Sequence, residues 1–263
     1  MGSYDKQYLD IVEKIMTDGY RAENRTGIDT IKVPHVSMSF DLEEEFPILT
    51  TKKMGLRLLT EEMLWIYRDM SNDVTLLQEK NVHIWDEWTK EDGTIGTAYG
   101  WVVKEYDQIN KLIETLKTNP QDRRMMLNLY QLAHIEGGSL PPCAFLSMFD
   151  VTDGRLNCML VQRSGDFPLG VPFNTTQYAI LTYMLAQVTG LKPGLLTHVI
   201  NNAHIYENQL EGMKEHLSRK GTDFPAPKLI LNPDVKEFKD FKASDVTLVD
   251  YQHHPAIKMD VAV

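Results

Sequence analysis

Residues 144–189 read AFLSMFDVTDGRLNCMLVQRSGDFPLGVPFNTTQYAILTYMLAQVT, and the order of patterns inside them decides the fold class. AFLSMFDV (144–151) and RLNCMLVQRS (155–164) read as strands. Between them stands Thr152-Asp153-Gly154, and Asp-Gly between two strand patterns signals a tight antiparallel hairpin. Residues 174–189 are then apolar nearly all round and stop at Gly190, which predicts a helix buried on every side, with Asn174 as its N-cap. A hairpin feeding a buried helix breaks the strict strand–helix alternation of a parallel sheet. Working outward, Leu9, Val12, Ile15 and Met16 recur at helical spacing over 4–18, with Gly19 as the stop. Further helices are expected over 55–69, over 106–117 (Ile109, Leu112, Ile113 and Leu116 on one stripe, Pro120 barring continuation) and over 206–219. Strands are expected at VSMSFDL (36–42), RRMMLNLYQL (123–132), LLTHVIN (195–201), PKLIL (227–231) and DVTLVDY (245–251). There is no repeat, low-complexity stretch or linker, so the reading is one α+β domain over 1–263 with antiparallel pairs prominent.

Composition narrows the function. The 263 residues are 43% hydrophobic and 24% charged, ordinary for a globular chain. No apolar run approaches the ~18 residues of a membrane span. The N-terminus lacks a secretory pattern, and two cysteines make no disulfide framework, so a cytoplasmic location is expected. With 27 basic and 37 acidic residues the net charge is -10, which opposes a broad DNA, RNA or membrane surface. A small anion is still compatible, since it needs only a few arginines brought together. No metal-ligand spacing and no glycine-rich phosphate loop is present, so no metal is expected.

Several residues could carry chemistry. Cys143 follows Pro141-Pro142 at the start of a strand, a rigid placement that suits a nucleophile, although a lone cysteine is commonly structural. Cys158 lies mid-strand and reads as core. QRSGDFPLGVPFN (162–174) gathers Arg163, Ser164, Asp166 and Asn174 in a stiff turn leading into the buried helix, a ligand site or a solvated connection. Arg163 offers a fork matched to phosphate and favours a thiolate at Cys143 if the two strands are neighbours. Arg25 and the pair Arg123-Arg124 are further cations, singly more typical of surface. Glu62 sits on a helix and is either a buried carboxylate or a solvated one. Trp85 and Trp88 suggest a flat apolar wall or core packing. His204 and Tyr206 share one face of an extended segment and suit a sugar hydroxyl.

Taken in order, RTG at 25–27, FPILTTKK at 46–53, EMLW at 62–65, IWDEW at 84–88, Arg123-Arg124, LPPC at 140–143, QRSGD with LGVPFN at 162–174, AHIY at 203–206 and the C-terminal KMDVAV resemble the thymidylate synthase family over nearly the whole chain. The resemblance implies reductive methylation of dUMP to dTMP, with 5,10-methylenetetrahydrofolate as one-carbon and hydride donor and no metal. Cys143 would attack ring carbon 6, with Glu62 and Tyr99 managing protons and Asp166 and Asn174 also in the catalytic set. Arg25, Arg163 and Ser164 would hold the phosphate, joined by Arg123 and Arg124 from a partner subunit. Asn174 would read the uracil edge, and His204 and Tyr206 the sugar. Lys52, Ile84, Trp85, Trp88, Asp166, Leu169, Phe173 and Val263 would line the folate side, with Lys52 near its glutamate tail and the tail at Val263 closing over it. The implied fold is a large, mostly antiparallel mixed sheet packed by helices, with sheets stacked across a homodimer interface.

Five departures accompany the likeness: Ala144 and Gly55 where histidine is usual, Asn202 where aspartate is usual, and the stretches YQLAHI (130–135) and WVVKEY (101–106). A pyrimidine-nucleotide hydroxymethylase acting on dUMP or dCMP with the same folate is the alternative. Trp85, Trp88 and the tail favour hydride transfer over water attack, because they keep the site dry. A non-catalytic nucleotide or RNA binder is a remote third reading.

Overall fold

A computed structural model describes residues 2–261. In chain order the helices are α1 (Ser3–Asp18), α2 (Leu56–Tyr67), α3 (Thr75–Gln78), α4 (Gly100–Glu105), α5 (Gln108–Thr118), α6 (Gly170–Thr189) and α7 (Leu210–Ser218). The strands are β1 (Tyr20–Ala22), β2 (Thr30–Asp41), β3 (Met126–Asn128), β4 (Ala144–Thr152), β5 (Arg155–Gln162), β6 (Gly165–Asp166), β7 (Lys192–Tyr206), β8 (Lys228–Leu231) and β9 (Val246–Val249). Seven strands form one sheet in the order β1-β2-β7-β5-β4-β3, with β6 beside β7, while β8 and β9 pair apart. β5 and β6 run parallel to β7 and the other pairs are antiparallel. The α+β class and the mostly antiparallel mixed sheet are as expected.

The central hairpin forms as read. Thr152 pairs with Arg155, and Asp153 (φ 51°) and Gly154 (φ 70°) make the two-residue turn with both φ positive. Gly190 ends α6 at φ 71°. Along β5, Leu156, Cys158, Leu160 and Gln162 are buried, and along β7 so are Leu196, His198 and Ile200; these alternating residues face α6. α1 packs on β2. Among the described residues no helix packs on the other face. Register sets Met126, Met148, Met159, Thr197 and Ser39 in one row across it, with Met126 and Met159 over 40% exposed.

Several boundaries differ from expectation: β2 begins at Thr30, because its pairing with β7 extends to Tyr206. α6 starts at Gly170 with Leu169 as N-cap, so Asn174 lies in the helix body and is not its cap. Pro172 sits in the first turn, where backbone N–H groups have no helical partner to lose, so it does not interrupt the helix. β7 runs fifteen residues and absorbs His204 and Tyr206, because its partners change along its length and keep it paired throughout. The helix expected from 206 therefore begins at Leu210, after a 3-10 turn at Glu207–Gln209. Only Met126–Asn128 of RRMMLNLYQL is strand; Arg123 and Arg124 fall in the preceding turn, where the Arg124 amide donates to Asp122 at 2.8 Å.

Candidate active site

The strand directions bring the chemistry to one end of the sheet. Cys143 precedes β4, and Arg163 and Ser164 follow β5; antiparallel pairing of Ala144 with Gln162 places them side by side. β5 ends with Gln162 opposite Ile200, and the parallel β7 runs on past that point, so His204 and Tyr206 arrive at the same edge. Thr30 pairs with Tyr206, which carries the β1–β2 loop and Arg25 there too. Asp166 pairs with His204, and α6 departs just beyond it with Asn174 one turn in.

Cys143 is half-buried. The Arg163 amide donates to the Cys143 carbonyl at 2.9 Å. Its guanidinium donates to the carbonyls of Pro141 (2.7 Å) and Pro142 (2.9 Å) and lies 3.6 Å from Sγ. The two prolines thus give Arg163 its seat as well as stiffening the strand entry. Burial pushes the Cys143 thiol up, while the charges of Arg163 and Arg25 pull it down. Cys158 is buried among apolar groups and is pushed up to about 12, which leaves it chemically inert.

Beside the thiol runs a second set of groups. Tyr99 adopts φ 50°, ψ −113°, a strained conformation for a non-glycine residue. Gly100 locks it: a Cβ there would meet the Ser71 carbonyl oxygen at 2.0 Å. Burial raises the Tyr99 hydroxyl, and the Cys143 and Glu62 charges raise it further. Its ring meets Trp85 edge-on at 4.9 Å, and Trp85 meets Trp88 at 5.8 Å. Trp85 Nε1 donates to Glu62 Oε1 at 2.8 Å, and the Gln177 amide donates to the other oxygen. Burial raises Glu62, which makes it a carboxyl able to hold a proton. Ile84, Leu169 and Phe173 are half-buried on this side.

Asp166 is pushed up to about 6, by burial first, against the pull of Gln209, the Leu169 amide and Lys52. Its Oδ1 is buried and has no hydrogen-bond partner among the described residues. An orphaned buried acceptor fits a heterocycle that carries N–H donors, which is the chemistry of a pterin. Lys52 is placed differently from expectation. It is buried beneath the Asp166 turn, donates to the Pro168 carbonyl at 2.5 Å and is lowered to about 8 by burial. Gln209 links Asp166 (3.5 Å) to the Asp260 carbonyl of the C-terminal tail (3.0 Å). Val263 lies outside the described residues.

Asp166 makes a measurable prediction. Below about pH 4 its carboxyl is protonated both folded and unfolded. Between about pH 4 and 6 only the folded state keeps the proton, so stability falls as pH rises. Urea unfolding of the protein and of Asp166→Asn should show their stability difference moving by roughly 3 kcal/mol against the protein across that window, and then levelling. A difference independent of pH would contradict the assignment.

His204 and Tyr206 rings meet edge-on at 5.1 Å. Burial lowers His204 to about 4, so it is neutral, and its Nδ1 faces the Asn202 amide oxygen at 3.1 Å. Asn202 thereby supplies the acceptor that an aspartate would supply, without a negative charge.

Arg123 and Arg124 are not brought to this edge. β3 pairs Met126 with Met148, which puts Arg124 level with Asp150, roughly 20 Å along β4 from Cys143 at ~3.3 Å per residue. Arg124 is exposed and forks onto Asp122 at 2.6 and 3.0 Å. The sequence reading missed Gln177, Gln209, Gln162 and His198, all buried beneath the site. Nothing in one sequence distinguishes such residues from other polar positions, because their partners lie far away along the chain.

A family model described as Thymidylate synthase matches residues 6–263. The thymidylate synthase of Clostridium beijerinckii (strain ATCC 51743 / NCIMB 8052) is 61% identical over all 263 residues, covering 100% of both chains. The solved structure of thermostable thymidylate synthase A from Bacillus subtilis superposes with a TM-score of 0.93 at 37% identity, covering 99% of each chain. Sheet, site and matches together define a methyltransferase acting on a pyrimidine nucleotide. The chain belongs to the thymidylate synthase family, and its reaction is the methylation of dUMP to dTMP with methylenetetrahydrofolate as cosubstrate. The family binds dUMP and folate and is dimeric. Among the described residues no helix is long and apolar enough to cross a membrane, and no group of side chains is arranged to hold a metal.

Proposed function

We propose that Cys143 is the nucleophile of this reaction and that residues 1–263 act as one catalytic domain. The observation that carries the reading is the thiol held 3.6 Å from the Arg163 guanidinium, with the charge of Arg25 also favouring its thiolate. Cys143 Sγ adds to carbon 6 of the uracil ring. The ring's double-bond electrons move toward the C4 oxygen, and carbon 5 becomes nucleophilic. Arg163, Arg25 and Ser164 hold the phosphate, and Arg163 stabilises the sulfur as it loses its proton. Asn174, one turn into α6, presents its amide to the uracil edge, and neutral His204 with Tyr206 takes the sugar hydroxyl. Glu62, kept protonatable by burial, exchanges protons with the C4 oxygen through water, and Tyr99 takes part in removing the proton from carbon 5. Elimination of the sulfur then restores the free thiol. The folate supplies the one-carbon unit and the hydride. Asp166, Trp85, Trp88, Ile84, Leu169 and Phe173 hold it and exclude water, and Lys52 fixes the Asp166 turn from below.

Four arginines around one phosphate are completed by a second copy of the chain. The helix-free face, with its methionine row, packs against the same face of the partner, and Arg123 and Arg124 reach the partner's phosphate site. A two-fold interface makes this donation reciprocal.

The direct test is incubation with dUMP and methylenetetrahydrofolate and identification of both products. The expected pair is dTMP and dihydrofolate. A 5-hydroxymethyl nucleotide with tetrahydrofolate would assign the chain to the hydroxymethylase alternative. Ring selection is tested by Asn174→Asp, which should depress dUMP turnover and shift the ratio toward dCMP by about 10²-fold, the scale of a lost buried edge contact. An unchanged ratio would place ring selection elsewhere.

A further inference from the structure

Beneath the phosphate turn, three buried polar side chains form a hydrogen-bonded chain that the reaction does not itself use. Gln162, the last residue of β5, donates from Nε2 to the Ser164 carbonyl at 2.9 Å. Its Oε1 lies 2.8 Å from His198 Nε2, on β7. His198 Nδ1 lies 2.9 Å from Thr175 Oγ1, in α6, and Thr175 Oγ1 lies 2.9 Å from the Val171 carbonyl. Gln162 is 1% exposed, and His198 and Thr175 are fully buried.

The donors and acceptors allow one consistent assignment. The Gln162 amide nitrogen is committed to Ser164, so its oxygen faces His198, and Nε2 must carry the proton. Nδ1 is then bare and accepts the Thr175 hydroxyl. The Val171 carbonyl keeps its helical backbone partner. All donors point one way, from Thr175 through His198 and Gln162 to the Ser164 peptide. Burial lowers His198 to about 3, so the ring stays neutral and the direction is fixed.

The two ends of this chain lie at opposite ends of the nucleotide. Ser164 and its neighbour Arg163 belong to the phosphate turn, while Thr175 adjoins Asn174, which faces the base. We infer that His198 is a positioning residue that sets the spacing between the phosphate-binding turn and the base-reading helix of the proposed dUMP site. The inference rests on that reading of the site. A nucleotide has a set phosphate-to-base span, and a misplacement of about 1 Å costs on the order of 10² in rate. His198 is therefore expected to govern nucleotide engagement while leaving the folate wall alone.

The test is steady-state kinetics on His198→Phe, Thr175→Val and Thr175→Ser, with melting curves for each. His198→Phe should raise KM for dUMP at least about tenfold while KM for methylenetetrahydrofolate stays within about twofold, the split expected of a lost spacing constraint on one ligand. Thr175→Val should move the same constant in the same direction, and Thr175→Ser, which keeps the hydroxyl, should restore it. The double variant His198→Phe/Thr175→Val should be no worse than the worse single one, because one chain is broken once. If His198→Phe does not fold, the Thr175 pair and the 15N spectrum of His198 decide. That spectrum should show the Nε2–H tautomer, and an Nδ1–H tautomer would overturn the assignment. A folded His198→Phe protein with an unchanged dUMP KM, or with both KM values rising together, would overturn the inference. Failure of the underlying reading would look different: the unaltered protein would form no adduct at Cys143.

Discussion

Cys143→Ser is expected to bind dUMP and to make no dTMP. The serine hydroxyl fits the same seat beside Arg163, so the phosphate and base contacts survive. What is lost is the thiolate. A hydroxyl gives up its proton far less readily, and the Arg163 and Arg25 charges that counter the burial of the thiol cannot close that gap. Deleting the nucleophile of a serine protease costs on the order of 10⁶ in kcat, and a loss of at least ~10³ is expected here. Cys158→Ser is the control. Cys158 lies on the α6 side of β5 and faces no polar ligand site, so its replacement should cost stability and not chemistry. Turnover rates of the two variants, with dUMP binding measured by calorimetry, check the claim. Turnover of Cys143→Ser within tenfold of the unaltered protein would remove the cysteine from the mechanism.

The second large effect concerns Arg124. Arg124→Ala should be nearly inactive as a homodimer, although its own chain's Cys143 is intact and roughly 20 Å away along β4. Mixed with Cys143→Ser, it should recover. In a mixed dimer one site carries both defects, and the other has an intact cysteine and an intact donated arginine. Random reassortment makes about half the dimers mixed, each with one good site of two, so activity should return to about a quarter of normal. The experiment is co-refolding of the two variants, confirmation of mixed dimers by native mass spectrometry, and assay at saturating substrate. Verified mixed dimers as inactive as their parents would place Arg124 outside the partner's site.

The parts legible in the sequence are those encoded over short spans. The Asp153-Gly154 hairpin, the Gly190 stop and the all-round apolar character of α6 are local patterns, and the structure follows them. The start of α6 is not local in this sense: Asn174 has the residue type of an N-cap, yet the helix begins at Gly170 with Leu169 as its cap and Pro172 in its first turn. The extent of β7 was underestimated because its length comes from three partner strands, not from its own alternation. In the proposed site, Cys143, Arg163, Asp166 and Asn174 belong to two short motifs that are legible locally. Buried polar partners far apart in the chain are not legible. Gln177 reaches Glu62 across 115 residues and Thr50 and Thr51 bind Asp5 across 45 and more. Single-sequence patterns carry no record of such pairings. Lys52 shows the same limit: its motif places it at the site, but only the packed structure shows it bonded beneath the Asp166 turn.

The most direct test of the central claim is a trapping experiment. With 5-fluoro-dUMP in place of dUMP, carbon 5 carries fluorine where the reaction must remove a proton, so the sequence halts with the sulfur still bonded to carbon 6. Intact-mass measurement after incubation with methylenetetrahydrofolate should show one nucleotide and one intact folate, joined through its methylene to carbon 5, added covalently, and peptide mapping should place both on the segment that contains Cys143. No covalent species, or an adduct on any other residue, would contradict the account.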